Sequence, residues 1–295
     1  MAGSDNLLLC STCGTQFDIP ADSPPSGCRI CDDPRQFVPP SGQSSCWTSL
    51  GEERGKHENQ WKQDGVEKRM WSITTEPKLG IGQRAIFLET PEGNVLWDCI
   101  AYLDEKTIET INSKGGLKAI VISHPHFYTT HLEWAKAFNC PVYVSREDEK
   151  WLNRVDNWNL RRFIEGLTET IVPGVTAIKA GGHFDGSLCL HWDKKLLHAD
   201  TLMAAPSGLY HKDRQPGTIS YSFMWSIPNM IPLPPSKIHH IWKAVKPFEF
   251  DATHGGFTGS DIRGPDLKQR ILESMKIQVR SMGHDMHSLL EEPSP

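Results

Sequence analysis

A chain of 295 residues, 38% hydrophobic and 23% charged, has the apolar content for one large two-sheet domain with a small appendage. Its net charge of −5, with no run of Lys or Arg, excludes the electrostatic footprint of a nucleic-acid-binding protein. No apolar run approaches the length that spans a bilayer, Met1-Ala2-Gly3-Ser4-Asp5-Asn6 lacks a basic leader and Leu7-Leu8-Leu9 stops at Cys10, so a soluble chain in a reducing, cytoplasmic compartment is expected.

The first chemical constellation is Cys10-x2-Cys13 and Cys28-x2-Cys31, two pairs separated by fourteen residues. Four thiolates on two such knuckles can close a tetrahedron, the coordination that structural zinc demands. Gly14 supplies the turn behind the first pair, while Pro20, Pro24, Pro25 and Gly27 make the intervening stretch loop and not core. So short a module cannot bury enough apolar surface to fold unaided, and metal binding would supply the missing stability. The chain is therefore expected to divide into residues 1–45, a zinc-ribbon-like module with a proline-rich connector over 32–44, and residues 46–295, one catalytic domain. Cys46, Cys99, Cys140 and Cys189 stand singly, and the last three, in apolar contexts, read as small core residues.

Beyond the connector, residues 54–63 are strongly polar and are expected to link the two parts, with His57 in solvent. Strands are predicted over 85–89 and 95–100, the second holding Asp98. Residues 117–122 form a buried apolar strand that runs into Ser123-His124-Pro125-His126-Phe127-Tyr128-Thr129-Thr130-His131, three imidazoles within eight positions. Pro125 fixes its own φ and keeps His124 out of the helical region, so His124 and His126 can aim both rings at one ion. His131 opens an amphipathic helix over 131–138, where a helix-end residue can also face water. A strand at 141–144 and a helix at 145–152 follow. His183 sits in the turn Ala180-Gly181-Gly182-His183-Phe184-Asp185-Gly186, between apolar stretches at 175–180 and 187–192; glycines there let the backbone bend tightly. Asp200 ends a short apolar strand in Lys195-Leu196-Leu197-His198-Ala199-Asp200-Thr201, although a carboxylate at a strand end is also an ordinary turn residue. Residues 221–232, apolar and broken by Pro228 and Pro232, are either buried packing or an apolar lid that recognises a hydrophobic acyl group. A helix over 236–245 carries His239 and His240, which receive no role, nor do His284 and His287. His254 enters the turn Gly255-Gly256. The last helix, over 266–282, presents Leu267, Ile271, Met275 and Val279 to the core.

Metal-binding side chains thus recur at strand ends. In their order the chain resembles the metallo-β-lactamase-fold hydrolases over about residues 80–260. Asp98 matches the family's early aspartate, His124 and His126 the opening of its H-x-H-x-D-H loop, His183 the histidine of its glycine turn, Asp200 its later aspartate and His254 its final histidine. The resemblance implies an α/β chain, an αββα sandwich, with the metal at the edge between the two sheets. It also implies that His124, His126 and His183 hold one ion, that Asp200 joins them, and that His254 serves a second. Tyr128 stands where the family has an aspartate and Thr129 where it has a histidine. The second site is therefore stripped to Asp200 and His254, with His131 as a substitute ligand.

The function this implies is a metal-dependent hydrolase in which zinc-bound hydroxide attacks the carbonyl of a small ester, thioester, lactone or amide, including lactams. Asp200 would complete the coordination sphere or orient the nucleophile, and Tyr128 or His254 would donate to the oxyanion. One catalytic and one structural zinc are expected, with a small and in part hydrophobic carbonyl compound as substrate and neither nucleic acid nor membrane as partner. Two other readings stand beside it: a redox metalloprotein whose tetracysteine module is a rubredoxin-like iron site, and a non-catalytic scaffold with a protein-docking ribbon.

Overall fold

A computed structural model describes residues 4–36, 46–210 and 214–295. Most of the expected proline-rich connector lies outside the described residues, as do Met1, Ala2 and Gly3. The chain divides into two compact units, Met1–Ile164 and Glu165–Pro295.

The first unit opens with a three-stranded antiparallel sheet in which Leu7–Cys10 lies between Gln16–Pro20 and Trp47–Ser49. The cysteine-bearing segment thus takes its third strand from beyond residue 45. Its core is small: Leu8, Phe17 and Ile30 pack with the cysteines, and Phe17 meets Trp47 edge-on at 5.5 Å.

The rest of the unit is built on a seven-stranded sheet, in spatial order Arg161–Ile164, Val142–Ser145, Ala119–Val121, Val95–Trp97, Ala85–Leu88, Met70–Glu76 and Glu58–Gln63. The first four run parallel. Val95–Trp97 and Ala119–Val121 are buried at every position, which is why they read as unbroken apolar runs and not as alternation. The polar stretch expected as a link is instead the edge strand Glu58–Gln63, laddered to Met70–Glu76. Its inward position is Asn59, whose amide donates to the Tyr102 carbonyl at 2.9 Å and to Thr107 Oγ1 at 3.1 Å. A strand whose buried residue is an amide shows no apolar alternation. His57 is likewise not in solvent, since its ring nitrogens lie 2.7 Å from the Pro77 carbonyl and 2.9 Å from Glu53. Residues expected as a helix over 145–152 form a 3-10 segment, Arg146–Trp151, whose five leading residues are charged and offer no apolar stripe.

The second unit carries a six-stranded sheet, in order Thr168–Val172, Val175–Lys179, Leu188–Trp192, Lys195–Leu197, Ala252–His254 and Ile262–Arg263. Lys195–Leu197 and Ala252–His254 are parallel neighbours, so the strands ahead of Asp200 and His254 end side by side. Helices Pro235–Val245 and Leu267–Ser281 supply the core with Trp242, Ile271, Met275 and Val279. Burying each such side chain stabilises by about 1.5–3 kcal/mol. The stretch 221–232 divides its character: Tyr221 and Phe223 are buried in that core, while Met230 and Ile231 are exposed on a hairpin of Met224–Ser226 and Ile231–Pro232. Among the described residues no helix is long and apolar enough to cross a membrane.

Candidate metal centres

The four cysteines of the amino-terminal segment converge. Their sulfurs lie within 4.8 Å of one another, with Cys10 to Cys31 and Cys13 to Cys28 both at 3.7 Å. Four sulfurs about 2.3 Å from a tetrahedral zinc stand about 3.8 Å apart, so the cluster has the dimensions of a tetrathiolate site. Both knuckles close through the same turn, the Gly14 amide donating to the Cys10 carbonyl at 2.7 Å and the Asp32 amide to the Cys28 carbonyl at 2.8 Å. Gly14 holds φ at 79°, and a Cβ there would stand 2.7 Å from that of Ala101. Hydrogen bonding among the thiols holds Cys10 below the usual range and Cys13 and Cys31 above it.

Still in the first unit, His124 and His126 follow the strand Ala119–Val121 on one loop. His124 is extended, φ −169° and ψ 173°, as a residue before proline must be. The two rings are 5.1 Å apart and each residue is 2% exposed. Asp98, buried at the end of the neighbouring strand with φ 61°, accepts the Ser123 amide at 2.7 Å and donates its own amide to the Val121 carbonyl at 2.8 Å. One carboxylate thereby fixes the start of the histidine loop. Ser123 Oγ lies 2.9 Å from His124 Nδ1, so Nε2 is the nitrogen that would ligate.

In the second unit, His183 follows Gly181 and Gly182, at φ 62° and 94°. A Cβ at Gly182 would overlap Thr201 Oγ1 and stand 2.8 Å from Ile241 Cδ1. The Thr201 hydroxyl donates to the Gly181 carbonyl, closing the histidine turn onto the segment that carries Asp200. His183 Nδ1 is 3.2 Å from the Met224 carbonyl and Nε2 is 3.7 Å from Asp200 Oδ2. Two donors on one tetrahedral zinc stand about 3.3 Å apart, so the imidazole and carboxylate are spaced to share an ion. His254, wholly buried, has Nδ1 3.3 Å from Asp261 Oδ1, and its carbonyl accepts the His198 amide at 2.8 Å.

Two expected site residues are reassigned. His131 was the substitute ligand, but its Nδ1 is 2.6 Å from the Tyr128 carbonyl and its Nε2 accepts from Arg161 Nε at 2.9 Å. With both nitrogens taken it cannot ligate. Burial, and next the Arg161 charge, bring its pKa down to about 3, so the ring is neutral. Tyr128 was a candidate oxyanion donor, but its hydroxyl donates to the Asp148 carbonyl at 3.3 Å, and burial pushes the phenol well above its usual range. The Thr129 hydroxyl in turn donates to the Cys99 carbonyl at 3.3 Å. At both positions where the resemblance implies ligands, the chain therefore has hydroxyls spent on backbone. Residues that local spacing does not disclose are Ser123, Arg161, Asp261, Gln83 and the carbonyl of Met224, most of whose partners lie far away in sequence.

No family model matches the chain. The uncharacterized protein YmaE of Bacillus subtilis is 41% identical over 252 residues, covering 85% of this chain and 88% of YmaE. Among solved structures, VMB-1 superposes with a TM-score of 0.53 at 12% identity, over 76% of this chain and 98% of that one. The DIM-1 metallo-β-lactamase gives 0.51 at 12% over 76% and 98%. A metallo-β-lactamase from Erythrobacter litoralis gives 0.51 at 13% over 74% and 96%. The shared fold is the metallo-β-lactamase fold, with the tetracysteine cluster at the amino-terminal end of this chain.

Proposed function

From the chain's membership of the same family as YmaE and its metallo-β-lactamase fold, we propose that it is a metal-dependent hydrolase of a small ester, thioester, lactone or amide. The observation that carries this reading is the shared setting of two buried imidazoles: His124 and His183 each have Nδ1 beside a protein oxygen, at 2.9 Å and 3.2 Å. That is the outer-shell pattern of metal-binding histidines, in which an acceptor on one nitrogen orients the ring and directs the other to the ion.

In this reading His124, His126, His183 and Asp200 hold one ion. Three nitrogens and one carboxylate suit zinc. When bound, zinc supplies an activated water and a Lewis acid for a carbonyl oxygen. Asp200 would accept a hydrogen bond from the attacking water and set its direction. His254, braced by Asp261, is the donor to the oxyanion, the task for which Tyr128 is unsuited. Met230 and Ile231, exposed on the hairpin whose Met224 carbonyl meets His183, favour a substrate with an apolar acyl part. The tetracysteine cluster, with the strand Trp47–Ser49 laddered to it, would hold a structural zinc, and the residues after that strand form the hydrolase domain.

Metal analysis with a panel of esters, thioesters, lactones and lactams tests the reading. Wild-type protein should be colourless and zinc-bearing, whereas a red iron tetrathiolate would favour the redox alternative. His124→Ala and His183→Ala should each lose one ion and fall to background turnover while staying folded. Retained turnover in both would overturn the assignment.

A further inference from the structure

We propose that Gln83 is a positioning residue that ties the tetracysteine knuckle to the histidine loop, so that the ribbon sets the geometry, and with it the metal affinity, of His126. This rests on the reading of His126 as a metal ligand.

Gln83 is 2% exposed, and its Nε2 donates to the Cys13 carbonyl at 2.9 Å and to the His126 carbonyl at 3.3 Å. A primary amide has two N–H groups, and here one goes to each carbonyl. The orientation of the amide follows, since both partners can only accept. Its Oε1 is then left buried with no hydrogen-bond partner among the described residues. A buried carbonyl without a donor destabilises the fold, and an apolar side chain of similar volume would avoid that cost. Glutamine at this position is therefore not explained by packing. The bridge between the two carbonyls explains it.

The surroundings are shaped for the same close approach. Gly80 holds φ at 79°, and a Cβ there would stand 3.0 Å from Gln83 Oε1 and 3.2 Å from both Cys13 C and Gly14 N. The Gly80 amide donates to the Ser11 carbonyl at 3.1 Å, and the Gln16 amide to the Thr129 carbonyl at 3.2 Å. Arg154 adds a third brace, pairing with Asp18 of the ribbon at 2.5 Å and with Glu133 of the helix His131–Phe138 at 2.9 Å. The ribbon is thus tied to the middle of the histidine loop through Gln83 at His126, and to its end at Thr129 and Glu133. That grip replaces something: the Tyr128 and Thr129 hydroxyls are bonded to backbone, so no second ion can hold the loop through those side chains.

The test uses full-length protein loaded with cobalt(II), because tetrathiolate and nitrogen/oxygen sites absorb differently and can be titrated separately. Gln83→Leu should keep the tetrathiolate signal and the melting temperature, weaken cobalt at the histidine site by roughly 10–100-fold, and speed hydrogen exchange at the Phe127 and Tyr128 amides. Gln83→Met, longer and more pliable, carries the same test should the leucine variant not fold. Unchanged cobalt affinity and unchanged exchange would overturn the proposal. If wild-type protein takes up no cobalt outside the ribbon, the hydrolase reading fails, and exchange at the two amides alone decides the coupling: faster exchange upholds it and unchanged exchange overturns it.

Discussion

His131 and His124 are seven positions apart and equally buried, yet their rings are held in different ways. His124 has Ser123 beside Nδ1, whereas His131 lies between the Tyr128 carbonyl and the Arg161 guanidinium and has both nitrogens taken. The second arrangement requires a neutral ring, because Arg161 donates to Nε2. It carries a pH signature. Above the ordinary histidine pKa of about 6.5 the ring is neutral in folded and unfolded chains alike, and its contribution does not vary with pH. Between that value and about 3 the unfolded chain binds a proton that the folded chain refuses, so stability falls as pH falls. The slope from this one residue is at most about 1.4 kcal/mol per pH unit. Urea unfolding at pH 7, 6, 5 and 4 should therefore show a shallower decline for His131→Gln than for wild type, with metal content unaltered. Loss of an ion from that variant would return His131 to the ligand set.

At the scale of elements, legibility followed the range of the interactions. The cysteine knuckles could be read because tetrahedral coordination needs its ligands two and two at short spacing, and the strands that lead to Asp98 and Asp200 because short apolar runs stop there. Glu58–Gln63 could not, since its buried position is an amide satisfied by Tyr102 and Thr107 more than forty residues away. Gln83 was invisible for the same reason, with partners 70 and 43 positions distant. His131, offered as a substitute ligand or as a helix-end residue facing water, is neither, because Arg161, 30 positions on, takes the nitrogen that the Tyr128 carbonyl leaves, a contact that local sequence does not show. For the ribbon, the small apolar core of Leu8, Phe17 and Ile30 leaves metal coordination to supply much of the stability. Cys28→Ser should therefore release one ion per chain and lower the melting temperature of the first transition by several degrees. A variant with full metal content and unchanged melting would show that the four sulfurs are only a packed thiol cluster.

For the whole molecule the ligand inventory, more than the fold, decides how many ions the chain carries. A shared fold does not by itself fix a metal count, so the count must be argued from side chains. Cys10, Cys13, Cys28 and Cys31 could hold one ion. His124, His126, His183 and Asp200 account for a second in the proposed reading. A third would need His254 and further donors; Asp261 stands beside it as a carboxylate that can ligate, whereas His131 has no nitrogen to give and the Tyr128 and Thr129 hydroxyls are bonded to carbonyls. His254 has Asp261 beside Nδ1 at 3.3 Å, which suits an imidazole held to donate a proton or a hydrogen bond as well as it suits a ligand. Metal content separates the two. His254→Ala should retain about two ions per chain and lose turnover by roughly 10²–10³-fold, the usual effect of removing one oxyanion donor. Loss of an ion on that substitution, or a crystal structure with two ions about 4 Å apart beside His254, would make it a ligand and the hydrolase centre a two-metal site.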